Sequence, residues 1–355
     1  MNHENSQGDT PLKSHRTRRV LLGLATVLLV VVGVAWFASD GRALLAAASK
    51  ISWTSVLLPV GATLISYALM AASYEGIATA AHRSIGFGAM HRITYVSNTI
   101  NYIISTGGLS GFAARMYLFR KHGIPLGRAV TISFVQGLLT NLTLLLFLIV
   151  GFAFLVTHES LGRAAIASAA AALTLFTIAT LVLVSLFVHP PSRRKCLLWI
   201  VGAGHALSRR LVGEERAPRR VGLLRLAHNI DDGFGFMLQN RHAMLAPVAF
   251  IVADWFMTLG VLWGCFYAVG LEVPLPLVTV GFAIGILTTL ISITPAGLGI
   301  MESAMTTIFV SLGTPLEPTI IAVLLFRLTF YALPFTLSAS FLHGMFEDAR
   351  RHTNI

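Results

Sequence analysis

Thr294-Pro295-Ala296-Gly297-Leu298-Gly299-Ile300-Met301-Glu302 places a proline, two glycines and a carboxylate in a part of the chain otherwise apolar enough to lie in lipid. Hydrocarbon offers backbone N–H and C=O groups no partners, so such a break at membrane depth survives only where protein or a wet cavity covers it. A carboxylate there is costly and is expected to face the protein interior. The stretch therefore points to a membrane protein with interrupted helices.

The same device occurs earlier. Ser105-Thr106-Gly107-Gly108-Leu109-Ser110-Gly111 is a second glycine-rich break in an apolar background, followed by a charge at Arg115. After each break the chain continues alike, with Gly123-Ile124-Pro125-Leu126 answering Gly313-Thr314-Pro315-Leu316, each leading into a long apolar run. The copies lie about 190 residues apart, and the shared order of features predicts a duplicated unit. The alternative is ordinary Gly and Pro usage in membrane helices.

Composition agrees with the membrane class. Of 355 residues 55% are hydrophobic and 12% charged, more grease than a globular core needs. The net charge of +11 would suggest nucleic acid in a soluble protein, but here the basic residues cluster between apolar spans, which orients a membrane protein instead. Two cysteines, Cys196 and Cys265, imply no disulfide framework, and neither metal-ligand spacing nor a cofactor motif occurs.

Residues 1–19 form a basic tail, and 20–38 are long enough for a retained first helix rather than a signal peptide. Trp36 and Trp53 bracket a short interfacial segment, and a second span covers 53–73. Residues 75–92 read as a surface connection. The run 93–106 offers about 14 residues, roughly 21 Å of helix against a hydrocarbon core of roughly 30 Å, so it should turn back at the glycines as a re-entrant hairpin. Full spans follow at 129–156 and 164–188, the latter closed by Pro190 and Pro191. The basic insertion 189–242 contains an amphipathic stretch, 196–211, that suits either an interfacial helix or an ordinary loop helix. A fifth span, 243–270, contains Asp254; the second hairpin brackets Glu302; a sixth span, 319–342, carries Arg327 and Pro334.

The expected fold is thus an all-α polytopic membrane protein of about six full transmembrane helices plus two re-entrant helical hairpins. The integral domain covers 20–343, with repeat halves about 93–188 and 243–343, and a short tail occupies 344–355. With the insertion cytoplasmic, both termini are inside, as are 22 of the 26 Lys/Arg. The two hairpins then enter from opposite sides. Inverted-topology repeats with broken helices meeting near the midplane are a recurring plan of secondary transporters.

Several residues qualify as a site. Glu302 leads, its bland alternative being a helix N-terminal carboxylate stabilised by local amides and dipole. Arg115 either faces the interior or snorkels to the interface, Arg327 either meets a ligand or pairs with Glu302, and Asp254 either lines a path or is solvated near the cytoplasmic end. Gly107, Gly108, Pro295, Gly297 and Gly299 form the breaks, and serve helix packing and turns as readily as ligand contact. Asn101 and Gln136 line a polar path or bond across helices. Gly281 and Gly285 are a packing pair.

The second copy, from Pro295 through Glu302 and Gly313 to Leu324-Leu325-Phe326-Arg327-Leu328-Thr329-Phe330-Tyr331-Ala332-Leu333-Pro334, resembles the lysylphosphatidylglycerol synthase transmembrane-region family, also called flippase-like domain proteins. The resemblance covers about 20–342 and implies an integral membrane protein related to the flippase part of multiple peptide resistance factors. It departs where many relatives carry a proline and an acid and this chain has Thr106 and Phe112, and where they carry a charge and it has Gln136. No soluble aminoacyl-transferring domain is expected after the last span.

The function expected is a non-enzymatic translocase in the bacterial inner membrane, moving an anionic phospholipid or lipid-linked substrate between leaflets by alternating access. Arg115 and Arg327 suit a phosphate, and Glu302 an ammonium group or a coupling proton. The alternatives are a membrane-embedded lipid-modifying transferase and a scaffold for a partner enzyme. No nucleic-acid partner is expected, and a homo-oligomer is left open.

Overall fold

In the computed structural model the described residues are 41–81, 84–104, 108–157, 163–213, 220–291, 294 and 297–341. Among them every regular element is helical. The order is α1 (Gly41–Ser49), α2 (Leu57–Ala81), α3 (Phe87–Ile103), α4 (Leu109–Lys121), α5 (Leu126–Val156), α6 (Arg163–Val188), α7 (Pro190–Val212), α8 (Arg220–Gln239), α9 (Leu245–Ala268), α10 (Leu275–Ile291), α11 (Ile300–Ser311) and α12 (Leu316–Arg327). The last passes through a π turn at Leu328–Ala332 and continues as α-helix to Phe341.

Among the described residues, five helices are long and apolar enough to cross a membrane: Leu57–Ala81, Leu126–Val156, Ile166–Val188, Arg241–Ala268 and Leu316–Phe341. They correspond to five of the six expected spans; the first, 20–38, lies outside the described residues, as do Trp36 and the tails. Leu175 and Leu181 on α6 are 71% and 57% exposed. So much uncovered leucine on an apolar helix suits a hydrocarbon surround and would be a liability in water.

Several helix pairs pack closely where a glycine removes a side chain. A Cβ on Gly264 would come within 2.3 Å of Leu58, and one on Gly76 within 2.8 Å of Pro247, so α2 and α9 meet almost backbone to backbone. A Cβ on Gly281 or Gly285 of α10 would come within 2.2 Å of Phe309 or 2.5 Å of Met305 of α11, which gives this pair the packing role that its spacing predicts. Around these contacts lies an aromatic core that includes Tyr67, Tyr95, Phe147, Trp255, Phe266, Phe282, Phe309 and Phe326.

Each glycine-rich break separates two short helices that pack on each other, α3 with α4 and α10 with α11. At 1.5 Å per residue, the 17 residues of α3 reach about 26 Å and the 12 of α11 about 18 Å, less than the roughly 30 Å hydrocarbon core. The second helix of each pair ends in the same way. Gly123 (φ 78) and Gly313 (φ 98) adopt the left-handed conformation, Ile124 and Thr314 donate to the carbonyls of Phe119 and Phe309 at 3.0 and 3.1 Å, and Pro125 and Pro315 start the next helix. Both are Schellman turns followed by a helix-starting proline. Gly270 closes α9 by the same bonds but lacks a proline two residues on.

One reading of the sequence needs correction, and two are extended. Residues 75–92 are not a surface connection: α2 runs on to Ala81 and α3 begins at Phe87. The acid responsible for that reading, Glu75, accepts bonds from Ser84 Oγ and, at 3.1 Å, from the Gly86 amide, so it ties the α2–α3 turn. Pro190 does more than close α6, because it occupies the first turn of α7, where its missing N–H costs nothing. The basic insertion is also more than one surface helix. α7 and α8 pack on each other, and α8 docks on α5, with Gly127 facing Asn229 and Gly233 facing Thr131.

Candidate functional site

At the second break, Gly299 (φ 84) is the N-cap of α11 and Glu302 its third residue. Glu302 Oε2 accepts the Gly299 N–H at 2.8 Å. This is half of a capping box, since glycine has no side chain to return the bond. Glu302 Oε1 faces Arg327 Nε at 2.6 Å, with the two side chains only 9% and 4% exposed. Arg327 also donates from Nη2 to the Gly297 carbonyl at 3.3 Å and lies 4.4 Å over the Tyr331 ring. A bond from Thr294 Oγ1 to the Leu298 carbonyl, 3.0 Å, closes the break from within. Helix start, break and last span are thus fastened around one buried ion pair. Pro295 lies outside the described residues.

The first break is fastened differently. Gly108 (φ 93) is the N-cap of α4, and Gly111 lets α4 approach α3 so closely that a Cβ there would meet Asn101 at 2.7 Å. Ser110 Oγ donates to the Ile104 carbonyl at 2.6 Å and reaches Asn101 Oδ1 at 3.5 Å. Asn101 therefore braces the hairpin. Gly107 lies outside the described residues. One turn of helix further along, Arg115 donates to the Tyr74 hydroxyl, with its guanidinium 4.9 Å from the ring centre.

Asp254, on α9, is buried rather than solvated. It accepts a 2.5 Å bond from Ser66 Oγ, which itself lies 3.2 Å from Thr258 Oγ1. Gln136, on α5, is buried as well and accepts from Ser73 Oγ at 2.9 Å.

The structure thus brings Glu302 and Arg327 into direct contact, while Arg115, Asp254 and Gln136 each meet α2 instead. α2 carries two Ser-Tyr pairs seven residues apart, Ser66-Tyr67 and Ser73-Tyr74, on one helical face. Ser66 holds Asp254, Ser73 holds Gln136 and Tyr74 takes Arg115. Tyr67 packs on Tyr95 at 4.5 Å and lies beside Tyr102. Tyr102 in turn packs on Tyr331, 4.7 Å between ring centres, so the arginine of the second break reaches the first hairpin through two tyrosines. Five of the chain's seven tyrosines gather here, a signal that hydropathy reading passes over.

Among the described residues no group of three His, Cys, Asp or Glu could hold a metal ion. The arrangement can hold charge inside a helical bundle and offers guanidinium, carboxylate and phenol groups around two helix breaks. Fold and buried charges together define a multi-pass, all-helical membrane protein that holds charged side chains within its apolar core.

The chain belongs to the family described as the lysylphosphatidylglycerol synthase TM region, whose match covers residues 20–338. It is similar to the phosphatidylglycerol lysyltransferase of Bacillus subtilis (strain 168), with 23% identity over 263 residues. That alignment takes in 74% of this chain but 26% of the relative, so the chain spans about a quarter of that protein's length.

Proposed function

We propose that the chain is a translocase of the bacterial inner membrane, moving a phospholipid or lipid-linked substrate between leaflets without itself catalysing a chemical change. The observation that carries this reading is the convergence of buried charges and tyrosines on two glycine-broken helix pairs, joined by the Tyr102–Tyr331 contact. Broken helices with polar ends inside a bundle are the usual makings of a transport site. Membership of a family tied by name to a phospholipid supports a lipid as substrate and membrane partner. Pro295, Gly297, Gly299, Gly107 and Gly108 shape the two breaks in this reading, and Arg115 and Arg327 receive a phosphate. The shared Schellman turns and prolines after α4 and α11 favour a duplicated unit spanning about 93–188 and 243–343.

In this reading there are six spans, the hairpins are re-entrant from opposite sides, and both termini are cytoplasmic. On a background lacking Cys196 and Cys265, single cysteines replacing Arg120 and Arg209 are expected to be labelled from the cytoplasmic side and one replacing Glu317 from the other. Labelling of position 120 from outside would remove the inverted repeat.

The name of the Bacillus relative favours a second reading, a lipid-modifying transferase. The two separate on lipid amounts. Loss of a translocase leaves the total of its lipid unchanged and alters its leaflet distribution, as read by an impermeant headgroup reagent on intact cells. A fall in total lipid, with its distribution intact, favours the transferase.

A further inference from the structure

The two buried carboxylates of the membrane helices are balanced in different ways. Glu302 faces an arginine at 2.6 Å. Asp254 faces hydroxyls, with Ser66 Oγ at 2.5 Å and Thr258 next in line, and among the described residues it forms no ion pair with any arginine, lysine or histidine. The titratable groups around it are engaged elsewhere or lie far off. On α2, Tyr67 packs on Tyr95 beside Tyr102, Tyr74 is within electrostatic reach but holds Arg115, and Glu75 holds Ser84 and Gly86; on α3, Tyr102 is within reach and packs on Tyr331 of the π turn. On α12, Arg327 is committed to Glu302, and on α5 Arg128 donates to the Ala81 carbonyl. α10 carries no titratable residue, Cys265 of α9 is three turns away beside Thr329, and Arg241 and His242 are three turns away toward the start of α9.

A carboxylate removed from water is balanced by a cation or by a proton. Where no cation is at hand, hydroxyls are the partners that suit both forms, because they donate to the carboxylate and accept from the acid. We propose that Asp254 is a proton-binding site: a proton from water adds to a carboxylate oxygen, the side chain becomes neutral, and the same proton leaves when water next reaches it. Under the translocase reading, on which only this second step rests, Asp254 couples lipid movement to a proton gradient.

The test uses the full chain in liposomes of phosphatidylethanolamine and phosphatidylglycerol. Infrared spectra should contain the carbonyl band of a neutral carboxylic acid that grows as pH falls. This band should be missing from Asp254→Asn and displaced in Ser66→Ala, which keeps the carboxyl and guards against an Asn variant that fails to fold. Identical spectra for wild type and Asp254→Asn, or an undisplaced band in Ser66→Ala, overturn the proposal. In the same vesicles one proton per lipid makes the leaflet ratio of labelled lipid follow the gradient, about tenfold per pH unit. Wild-type movement indifferent to the gradient overturns the coupling. No lipid movement by wild type under any condition sinks the translocase reading, and the infrared band still decides the proton site.

Discussion

Exchanging Glu302 for glutamine is expected to destabilise the protein by about 3–5 kcal/mol, the usual consequence of removing one partner from a buried ion pair. The amide keeps an oxygen to accept the Gly299 N–H, so the helix start survives and the loss isolates the missing charge. What remains is Arg327, 4% exposed, which keeps the Gly297 carbonyl and the Tyr331 ring but has lost the carboxylate 2.6 Å from its Nε. Adding Arg327→Gln should therefore recover part of the loss, since two neutral amides in that space can bond to each other. Denaturation midpoints of the three variants in detergent measure this. A Glu302→Gln protein of ordinary stability would reduce the residue to a local cap.

A comparable but local loss, again about 3–5 kcal/mol, is expected for Asp231→Asn in the basic insertion. Asp231 on α8 pairs with Arg193 at 2.6 Å and Arg194 at 2.7 Å, and Arg193 is as buried as the acid. The variant leaves Arg193 with the Phe187 carbonyl and a long bond to the backbone carbonyl of residue 231, so α7 and α8 should open, read as faster amide exchange across 190–239 with the spans unaffected. Arg194, 68% exposed, contributes little, and Arg194→Ala should cost less than about 1 kcal/mol. Burial alone would raise the Asp231 pKa, but the bonds from Arg194 and Arg193 win and hold it below the ordinary 3.8. With the folded value below the unfolded one, the contribution is complete above about pH 4 and is lost as pH falls through the folded value. Wild type and Asp231→Asn should therefore converge in strong acid. A difference that persists there would mean that the carboxylate's charge is not the cause.

What the sequence made legible follows from cost. Proline, glycine and charge inside apolar runs are expensive in lipid, and so Gly108, Gly297, Gly299, Arg115, Asp254, Glu302 and Arg327 could be picked out before any geometry. The partnership of Glu302 with Arg327 was readable as one of two alternatives, because a buried acid needs a counter-charge. Serine and tyrosine carry no such penalty. The Ser-Tyr pairs of α2 therefore passed as ordinary span residues, although they receive Asp254, Gln136 and Arg115. Glu75 misled for the opposite reason: a charge near a helix end marks a boundary by composition, yet this one bonds forward to Ser84 and Gly86 and lets the helix run past it. The packing of α7 on α8 was illegible because it depends on Asp231 finding arginines almost forty residues earlier.

The π turn at Leu328–Ala332 has a consequence for how the last helix is indexed. A π turn accommodates one residue more than an α turn, and one residue is about 100° of rotation, so everything beyond it is turned relative to a continuous helix. Before the turn, Arg327 meets Glu302 and Gly297 at the second break. After it, Phe341 meets Tyr95 and His91 of the first hairpin, with ring centres 5.5 and 6.4 Å apart. A single rod thus carries two keyways cut at different angles, one for each hairpin. Deleting one residue between them would leave hydropathy and length almost untouched, yet only one of the two keys could still engage.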